Sequence, residues 1–123
     1  MTRAHHKFWP ARVPHAISPP ATALPDNLWV NARRFPDRPA LVFLGHTTTY
    51  AELAAQVERL AGWLGQRGIQ RGDRVLVDLQ NCPQLVIAHY AILRVNAVVV
   101  PVNPMHQAAE IRLLIEESGE IGR

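Results

Sequence analysis

Apolar residues in the middle of the chain recur at the spacing of an amphipathic helix. Four of them lie three or four positions apart and share one helical face: Leu53, Val57, Leu60 and Leu64. Thr49 stands three residues before Glu52, the spacing of a capping box, so the helix is expected to begin there. Gly62 and Gly65 fall inside it and each costs about 1 kcal/mol relative to alanine. Gly68 is a suitable terminator.

Similar patterns predict a helix on either side of this one. Apolar positions 28, 29, 32 and 35 predict a short helix over residues 28–35, which Asp26 or Asn27 can cap and which Pro36 ends. Apolar positions 108, 111, 114 and 115 predict a last helix that ends near residues 118–119.

Between the first two helices the pattern changes to that of a β-hairpin. Residues 40–44 form a short apolar run, and residues 47–49 are three β-branched threonines. Gly45 and His46 lie between the two runs, and glycine supplies the backbone angles that a two-residue turn requires. We therefore expect two antiparallel strands joined by a Gly45-His46 turn.

The second half of the chain predicts a strand, a helix and another strand. Residues 74–79 and 97–102 are the strands, and residues 82–94 form the helix, with Asn81 as its cap and Pro83 in its first turn. Strands joined in this way pair in parallel with a right-handed crossover. The run of valines at positions 98–100 is typical of a strand that is covered on both faces, and such a strand needs neighbours that two strands alone do not provide.

The first 24 residues carry no periodic pattern and are rich in proline, histidine and basic groups. They predict an extended basic arm, followed by a folded segment over residues 25–123. The adjacent aromatics Phe8 and Trp9 either attach this arm to the folded part or belong to a free tail. The fold class is therefore α/β: a partial parallel sheet with flanking helices, an amino-terminal hairpin and an extended arm.

Charge and cysteine content exclude several function classes. The net charge of +3 comes from Arg3, Lys7 and Arg12, because residues 25–123 hold ten arginines and ten acidic residues. A nucleic-acid partner is therefore not indicated.

Cys82 is the only cysteine, so no intrachain disulfide can form, and a reducing cytoplasm is the expected compartment. Residues 85–102 are long enough to span a bilayer, but Arg94 lies near their middle, so we expect a buried helix and strand and no transmembrane segment.

Few residues are candidates for chemistry. Cys82, near the start of a helix, is either an activated thiol or a structural one, and no histidine or aspartate partner is evident. His5 and His6 are an adjacent pair without a third ligand nearby, so we expect no metal site. His89 is interpreted as a core or boundary histidine. Asn103 follows the last strand and either lines a cleft beyond the strand ends or caps a turn.

The glycines do not form a phosphate-binding motif. Gly62, Gly65, Gly68 and Gly72 make a loose series, but the first two lie in a predicted helix rather than after a strand. Neither the dinucleotide pattern G-x-G-x-x-G nor the phosphate-loop pattern G-x-x-x-x-G-K-[ST] occurs.

From Asn27 onward, six segments in order resemble the opening of the adenylate-forming acyl-CoA synthetases. They are the RFPDRPAL run at residues 34–41, TYAEL at 49–53, GDRV at 72–75, LQNCPQ at 79–84, AVVVPVNP at 97–104 and the AEI…SG helix at 109–119. Phe8, Trp9 and Pro10 are similar to the lead-in of long- and medium-chain fatty-acid members. Val95-Asn96 departs from that family's usual Ala-Gly.

The resemblance implies an amino-terminal segment of a fatty-acid-CoA ligase, in which a carboxylic acid reacts with ATP and the acyl group then passes to coenzyme A. It implies ATP, magnesium and coenzyme A for the complete enzyme but no catalytic residue here, because the family's phosphate loop, magnesium-binding segment and late lysine have no counterpart. Lys7, the only lysine, lies in the arm. We expect a truncated chain that is inactive alone and binds no cofactor itself, and its cofactor-binding residues stay unknown.

A different class of function is also open, that of a non-catalytic binding or assembly module. Such a module would pair with a separately encoded remainder, or with itself, through the open sheet edge and Trp63, which lies at the margin of the apolar helix face. A stable, concentration-dependent oligomer or complex would distinguish it from an inactive fragment.

Overall fold

The computed structural model describes residues 4–119, which form four α-helices and two separate two-stranded sheets. In chain order the elements are α1 (Leu24–Arg34), β1 (Pro39–Phe43), β2 (His46–Thr49), α2 (Tyr50–Gln66), β3 (Arg74–Val77), α3 (Pro83–Arg94), β4 (Val98–Pro101) and α4 (Ala108–Ser118). Strands β1 and β2 pair antiparallel, and β3 and β4 pair parallel. The predicted α/β class with a partial parallel sheet is confirmed.

Helix α1 begins four residues earlier than the apolar pattern predicts. Ala23 is its N-cap, and the backbone N–H of Ala23 donates to Oδ2 of Asp26 at 2.9 Å. Asp26 therefore lies inside the first turn rather than at the cap. In the first turn its carboxylate also interacts favourably with the positive end of the helix dipole. Pro25 lacks only an N–H that a first turn leaves unpaired, so it is compatible with this start.

The hairpin is confirmed, but its turn lies one residue earlier than predicted. Phe43 pairs with His46, so Leu44 and Gly45 are the two turn residues. Both have positive φ, 47° for Leu44 and 80° for Gly45, which is the backbone of a type I′ turn. This turn matches the twist of the paired strands but places a leucine in the left-handed region, which the sequence alone does not indicate.

Helix α2 has the ends that its sequence predicts. The backbone N–H of Thr49 donates to Oε2 of Glu52 at 2.8 Å, and the N–H of Glu52 donates to Oγ1 of Thr49 at 3.3 Å. At the other end Gly68 has φ 87°, and the N–H of Ile69 reaches back to the carbonyl of Leu64 at 3.2 Å. This is a Schellman motif, so the predicted terminator role of Gly68 is confirmed.

Helix α3 and its two strands occur in the predicted order with shorter bounds. Cys82, not Asn81, is the N-cap of α3, and Pro83 occupies the first turn as predicted. Strand β3 ends at Val77 and β4 ends at Pro101 because these two residues are the last pair of the parallel ladder. The interpretation of residues 85–102 as a helix followed by a strand is confirmed, but the expected burial is only partial, because Ala91 and Ile92 are the buried residues of α3 and β4 has none. No helix of residues 4–119 combines the length and apolar character needed to cross a membrane.

The two faces of the parallel strand pair differ in how well they are covered. Val75, Val77 and Val99 face the helical core and pack within it. Leu76 and Val100 point to the opposite face and are only half-buried, while Val98 on that face is 46% exposed. Within residues 4–119 the expected second cover for this apolar strand is therefore incomplete.

Helices α1, α2 and α3 form the main packing layer. Val57 on α2 and Ile92 on α3 are its largest fully buried side chains. Arg94 at the end of α3 joins the three helices, because its Nε lies 3.0 Å from Oε1 of Glu58 on α2 and its guanidinium lies 5.7 Å from the ring of Trp29 on α1. Helix α4 has no buried residue and is tied to β3 by the guanidinium of Arg74, which donates to the carbonyl of Ser118.

The amino-terminal arm is less extended than predicted. Ala4–Phe8 form a short 3₁₀ helix, and the indole N–H of Trp9 donates to the carbonyl of Val13 at 3.0 Å. Phe8 is 79% exposed. Trp9 thus closes a local turn of the arm, and Phe8 does not attach the arm to the folded segment.

Candidate functional site

The carboxyl ends of β3 and β4 lie side by side and form the natural site for a ligand in this type of sheet. The backbone N–H of Val102 donates to the carbonyl of Val77 at 3.1 Å, which aligns the two chain segments where they leave the sheet. Asp78 follows β3 directly, and Asn103 follows Val102. In open parallel sheets, ligands bind beyond this edge.

Asn103 uses its side chain to shape the loop at this edge. Its Oδ1 accepts a hydrogen bond from the backbone N–H of Met105 at 3.0 Å, and its carbonyl accepts one from the N–H of His106 at 2.9 Å. Of the two roles open for Asn103, the structure shows the turn-capping one. Its side chain is exposed and is satisfied within the loop.

His106 is a residue at this edge that sequence reasoning missed. Its Nδ1 is buried and has no hydrogen-bond partner among residues 4–119. A buried polar atom normally has a partner, so this nitrogen marks a place where a further polar group fits. The only sequence signal was its position, three residues beyond Asn103 in the loop after a parallel strand.

Next to this edge, an open apolar groove of about 190 Å³ runs along β3. Its walls come from residues 75–79, which include most of β3, and from α2 and α3 through Leu60, Leu64, Ala88 and Ile92. Asp78 is the one charged residue that lines it. The groove therefore has the character of an uncovered piece of core and lacks the convergent polar groups of a small-molecule site.

The candidate thiol and histidine of α3 are separate from this edge chemistry. Cys82 is a free, half-buried thiol at the N-cap of α3 and makes no capping hydrogen bond through its side chain. His89 is exposed, so its interpretation as a core or boundary histidine is wrong. It lies on the exposed face of α3, next to the half-buried Tyr90.

The arm histidines contact one another rather than the folded segment. The ring of His6 stacks on that of His15 with 4.2 Å between centroids, and His5 meets His6 edge-on at 4.8 Å. No group of three or more histidine, cysteine, aspartate or glutamate side chains in residues 4–119 has the arrangement of a metal site.

The glycines do not fit a nucleotide phosphate either. Gly62 and Gly65 lie within α2, and Gly68 and Gly72 form turns that lead into β3, at the amino end of the strand. Phosphate-binding glycine loops follow a strand and open onto a helix N-terminus. Among residues 4–119, none of the loops combines these features, so no step of nucleotide chemistry is assigned to these residues.

The strand-helix-strand unit, the hairpin and the capped helices define a partial α/β domain. The AMP-binding enzyme family matches residues 28–120, and the chain belongs to that family. The long-chain-fatty-acid-CoA ligase of Bacillus subtilis (strain 168) is 36% identical over 110 residues, which cover 89% of this chain and 20% of that protein. Triostin synthetase I of Streptomyces triostinicus is 44% identical over 98 residues, which cover 80% of this chain and 19% of that protein. The predicted family resemblance is confirmed.

Solved structures agree with this assignment. The N-terminal subdomain of Klebsiella oxytoca NpsA, in complex with 3-hydroxyanthranilyl-AMSN, superposes with a TM-score of 0.74 at 36% identity. The match covers 79% of this chain and 25% of that one. The chain spans about a fifth of the length of the curated relatives it matches, which agrees with its interpretation as an amino-terminal segment.

Proposed function

We propose that the chain contributes the opening part of the large domain of a long- or medium-chain fatty-acyl-CoA synthetase and catalyses no reaction alone. The observation that carries this proposal is the poorly covered face of the parallel strand pair, where Leu76 and Val100 are only half-buried and Val98 is exposed within residues 4–119. Long-chain-fatty-acid-CoA ligases among its relatives support the substrate class. We place the protein in the cytoplasm, as its single free cysteine suggests.

In the complete enzyme, a fatty-acid carboxylate would attack the α-phosphorus of ATP to give an acyl-adenylate and pyrophosphate, and the thiol of coenzyme A would then take the acyl group. Such a site must hold a polyanion with magnesium and bring two negative reactants together. Lys7, the only lysine of the chain, does not provide it, because its ammonium group lies over the ring of Phe8 in the arm, 4.8 Å from its centroid. We therefore assign the ATP-phosphate site to a part of the synthetase outside this chain, and the β3–β4 sheet edge to this chain.

Pyrophosphate release is the assay that tests this proposal. The purified chain is incubated with ATP, magnesium, coenzyme A and fatty acids of graded length, and we expect no release above the blank. Fatty-acid-dependent release by the chain alone would refute the inactivity.

Fusion to the missing portion tests whether the chain is the opening part of such an enzyme. Joining this chain to the Bacillus subtilis ligase that lacks its own first fifth should give a chimaera that regains fatty-acid activation. A folded chimaera without activity would refute this placement of the chain. The same chimaera with Val100→Asp, which places a charge on the uncovered sheet face, is the matched variant and should lose stability and activity together.

The unpaired strand edges favour a second candidate, the assembly module. Strands β3 and β4 are the only members of their sheet in the described chain, so both outer edges are available to a further strand. This role concerns association and is compatible with the absence of catalysis by the isolated chain.

A further inference from the structure

The backbone of β3 presents a complete set of unpaired hydrogen-bonding groups on its outer side. The N–H of Val98 donates to the carbonyl of Asp73 at 2.7 Å, and the N–H of Val102 donates to that of Val77 at 3.1 Å. Because successive residues of a strand alternate sides, residues 73, 75 and 77 face β4. The backbone N–H and C=O groups of Arg74, Leu76 and Asp78 therefore point away from β4, where no strand of residues 4–119 pairs with them.

The two edges of the sheet are not equivalent. Pro101 interrupts the outer edge of β4, since proline has no N–H to donate. The outer edge of β3 contains no proline and is flanked by the apolar groove of about 190 Å³. An added strand at β3 can thus form backbone bonds at every outward-facing residue and also bury apolar surface.

The charges along this edge are self-complementary. Arg74 and Asp78 lie four residues apart with Leu76 midway between them, and both charged side chains are exposed. The single ion pair of residues 4–119 joins Arg94 and Glu58, so within these residues neither Arg74 nor Asp78 forms an ion pair.

We propose that two copies of this chain pair antiparallel through β3, about a two-fold axis at Leu76, to form a four-stranded sheet in the order β4-β3-β3-β4. In that register Arg74 lies opposite the partner's Asp78, and Leu76 lies opposite the partner's Leu76. These are the residues whose backbone groups point outward, so each pair is a hydrogen-bonded pair of an antiparallel ladder. Opposite charges that face each other across such a ladder stabilise it.

The remaining contacts of this register are also compatible. Val75 lies opposite the partner's Val77 on the side of the groove, where the partly exposed Val75 adds apolar contact and the buried Val77 adds little. The guanidinium of Arg74 has five donors, so it can bind the partner's Asp78 while it still donates to the carbonyl of Ser118. The pairing is isologous and closes on itself, as expected of a two-fold dimer.

Charge reversal tests this dimer directly. Sedimentation velocity of the wild-type chain over a wide concentration range should show a reversible monomer–dimer equilibrium. Arg74→Asp and Asp78→Arg each place like charges opposite one another twice, and we expect self-association to weaken about tenfold or more. An equimolar mixture of the two variants has opposite charges at both positions and should regain the dimer, as should the double variant.

Controls and amide exchange make the result specific. Arg71→Asp and Asp37→Arg change the net charge equally at exposed positions outside β3 and should leave the dimer unchanged. Circular dichroism verifies that each variant is folded. In wild-type protein, the amides of Leu76 and Asp78 should gain protection as concentration rises, whereas those of Val75 and Val77 should be protected throughout.

Three outcomes would overturn the proposal. They are a wild-type chain that stays monomeric at every concentration, charge reversals that leave association unchanged, and a variant mixture that does not associate. Protection of Leu76 and Asp78 that arises only when the rest of a synthetase is added would assign this edge to that partner instead of a second copy. None of these outcomes bears on the pyrophosphate assay, so the proposed function is tested separately.

Discussion

The substitution Leu44→Asn should make the protein more stable. Leu44 has φ 47° in the turn between β1 and β2, and its side chain is 90% exposed. Left-handed backbone costs an ordinary residue about 1–2 kcal/mol. Asparagine adopts this region more readily and is preferred before glycine in a type I′ turn. Because little buried surface is lost, most of this strain should be recovered, giving a gain of ~1 kcal/mol.

The expected gain is large enough to measure. For a chain of this size, ~1 kcal/mol raises the melting temperature by about 4 °C. Thermal melts by circular dichroism and urea titrations at one fixed protein concentration would measure it, since association makes the melting temperature depend on concentration. Leu44→Val is the matched control and should lower stability, because a β-branched residue tolerates positive φ poorly. A Leu44→Asn protein that melts at or below the wild-type temperature would refute the reasoning.

Three further predictions concern the helices. Thr49→Ala removes the capping hydroxyl of α2 and should cost about 1 kcal/mol in urea unfolding, whereas Thr49→Ser should keep most of it. The hydrogen bonds from the backbone and side chain of Thr49 hold the pKa of Glu52 below its ordinary 4.5. The resulting stabilisation is present above pH 4.5 and is lost as the pH falls through the lowered pKa. Glu52→Gln should therefore flatten the acid dependence of the urea midpoint, and an unchanged dependence would contradict this prediction. Ile92→Ala leaves a cavity at a fully buried site and should lower the free energy of unfolding by about 2–5 kcal/mol. The smaller change Ile92→Val should lower it by about 0.5–1.5 kcal/mol. Equal losses for the two variants would argue against a tightly packed site.

Features that depend on near neighbours in sequence were predictable. The Thr49–Glu52 capping box and the Gly68 terminator involve residues only three to five positions apart, so sequence spacing specifies them. The start of α1 was misjudged because its cap is Ala23, a residue type with no capping side chain, and because Asp26 resembles a cap although it acts one turn later.

Features that depend on distant pairing were not predictable. The turn was placed one residue late because a leucine at positive φ is rare, and only the Phe43–His46 pairing requires it. Likewise, the ends of β3 and β4 are fixed by the register of one strand against the other. The unpartnered nitrogen of His106 also depends on the folded loop. Family membership was carried by short motifs in order, which need no tertiary information.

The bridging role of Arg94 bears on how this polypeptide acquires its structure during synthesis. By linking Glu58 and Trp29, Arg94 joins the first three helices within the first 94 residues. A ribosome that releases the chain from its amino end can therefore complete this helical layer before it makes any strand that could flank β3 or β4. The helices would then act as a preformed template on which the strands made later complete the sheet, in keeping with the tendency of amino-terminal units to fold first.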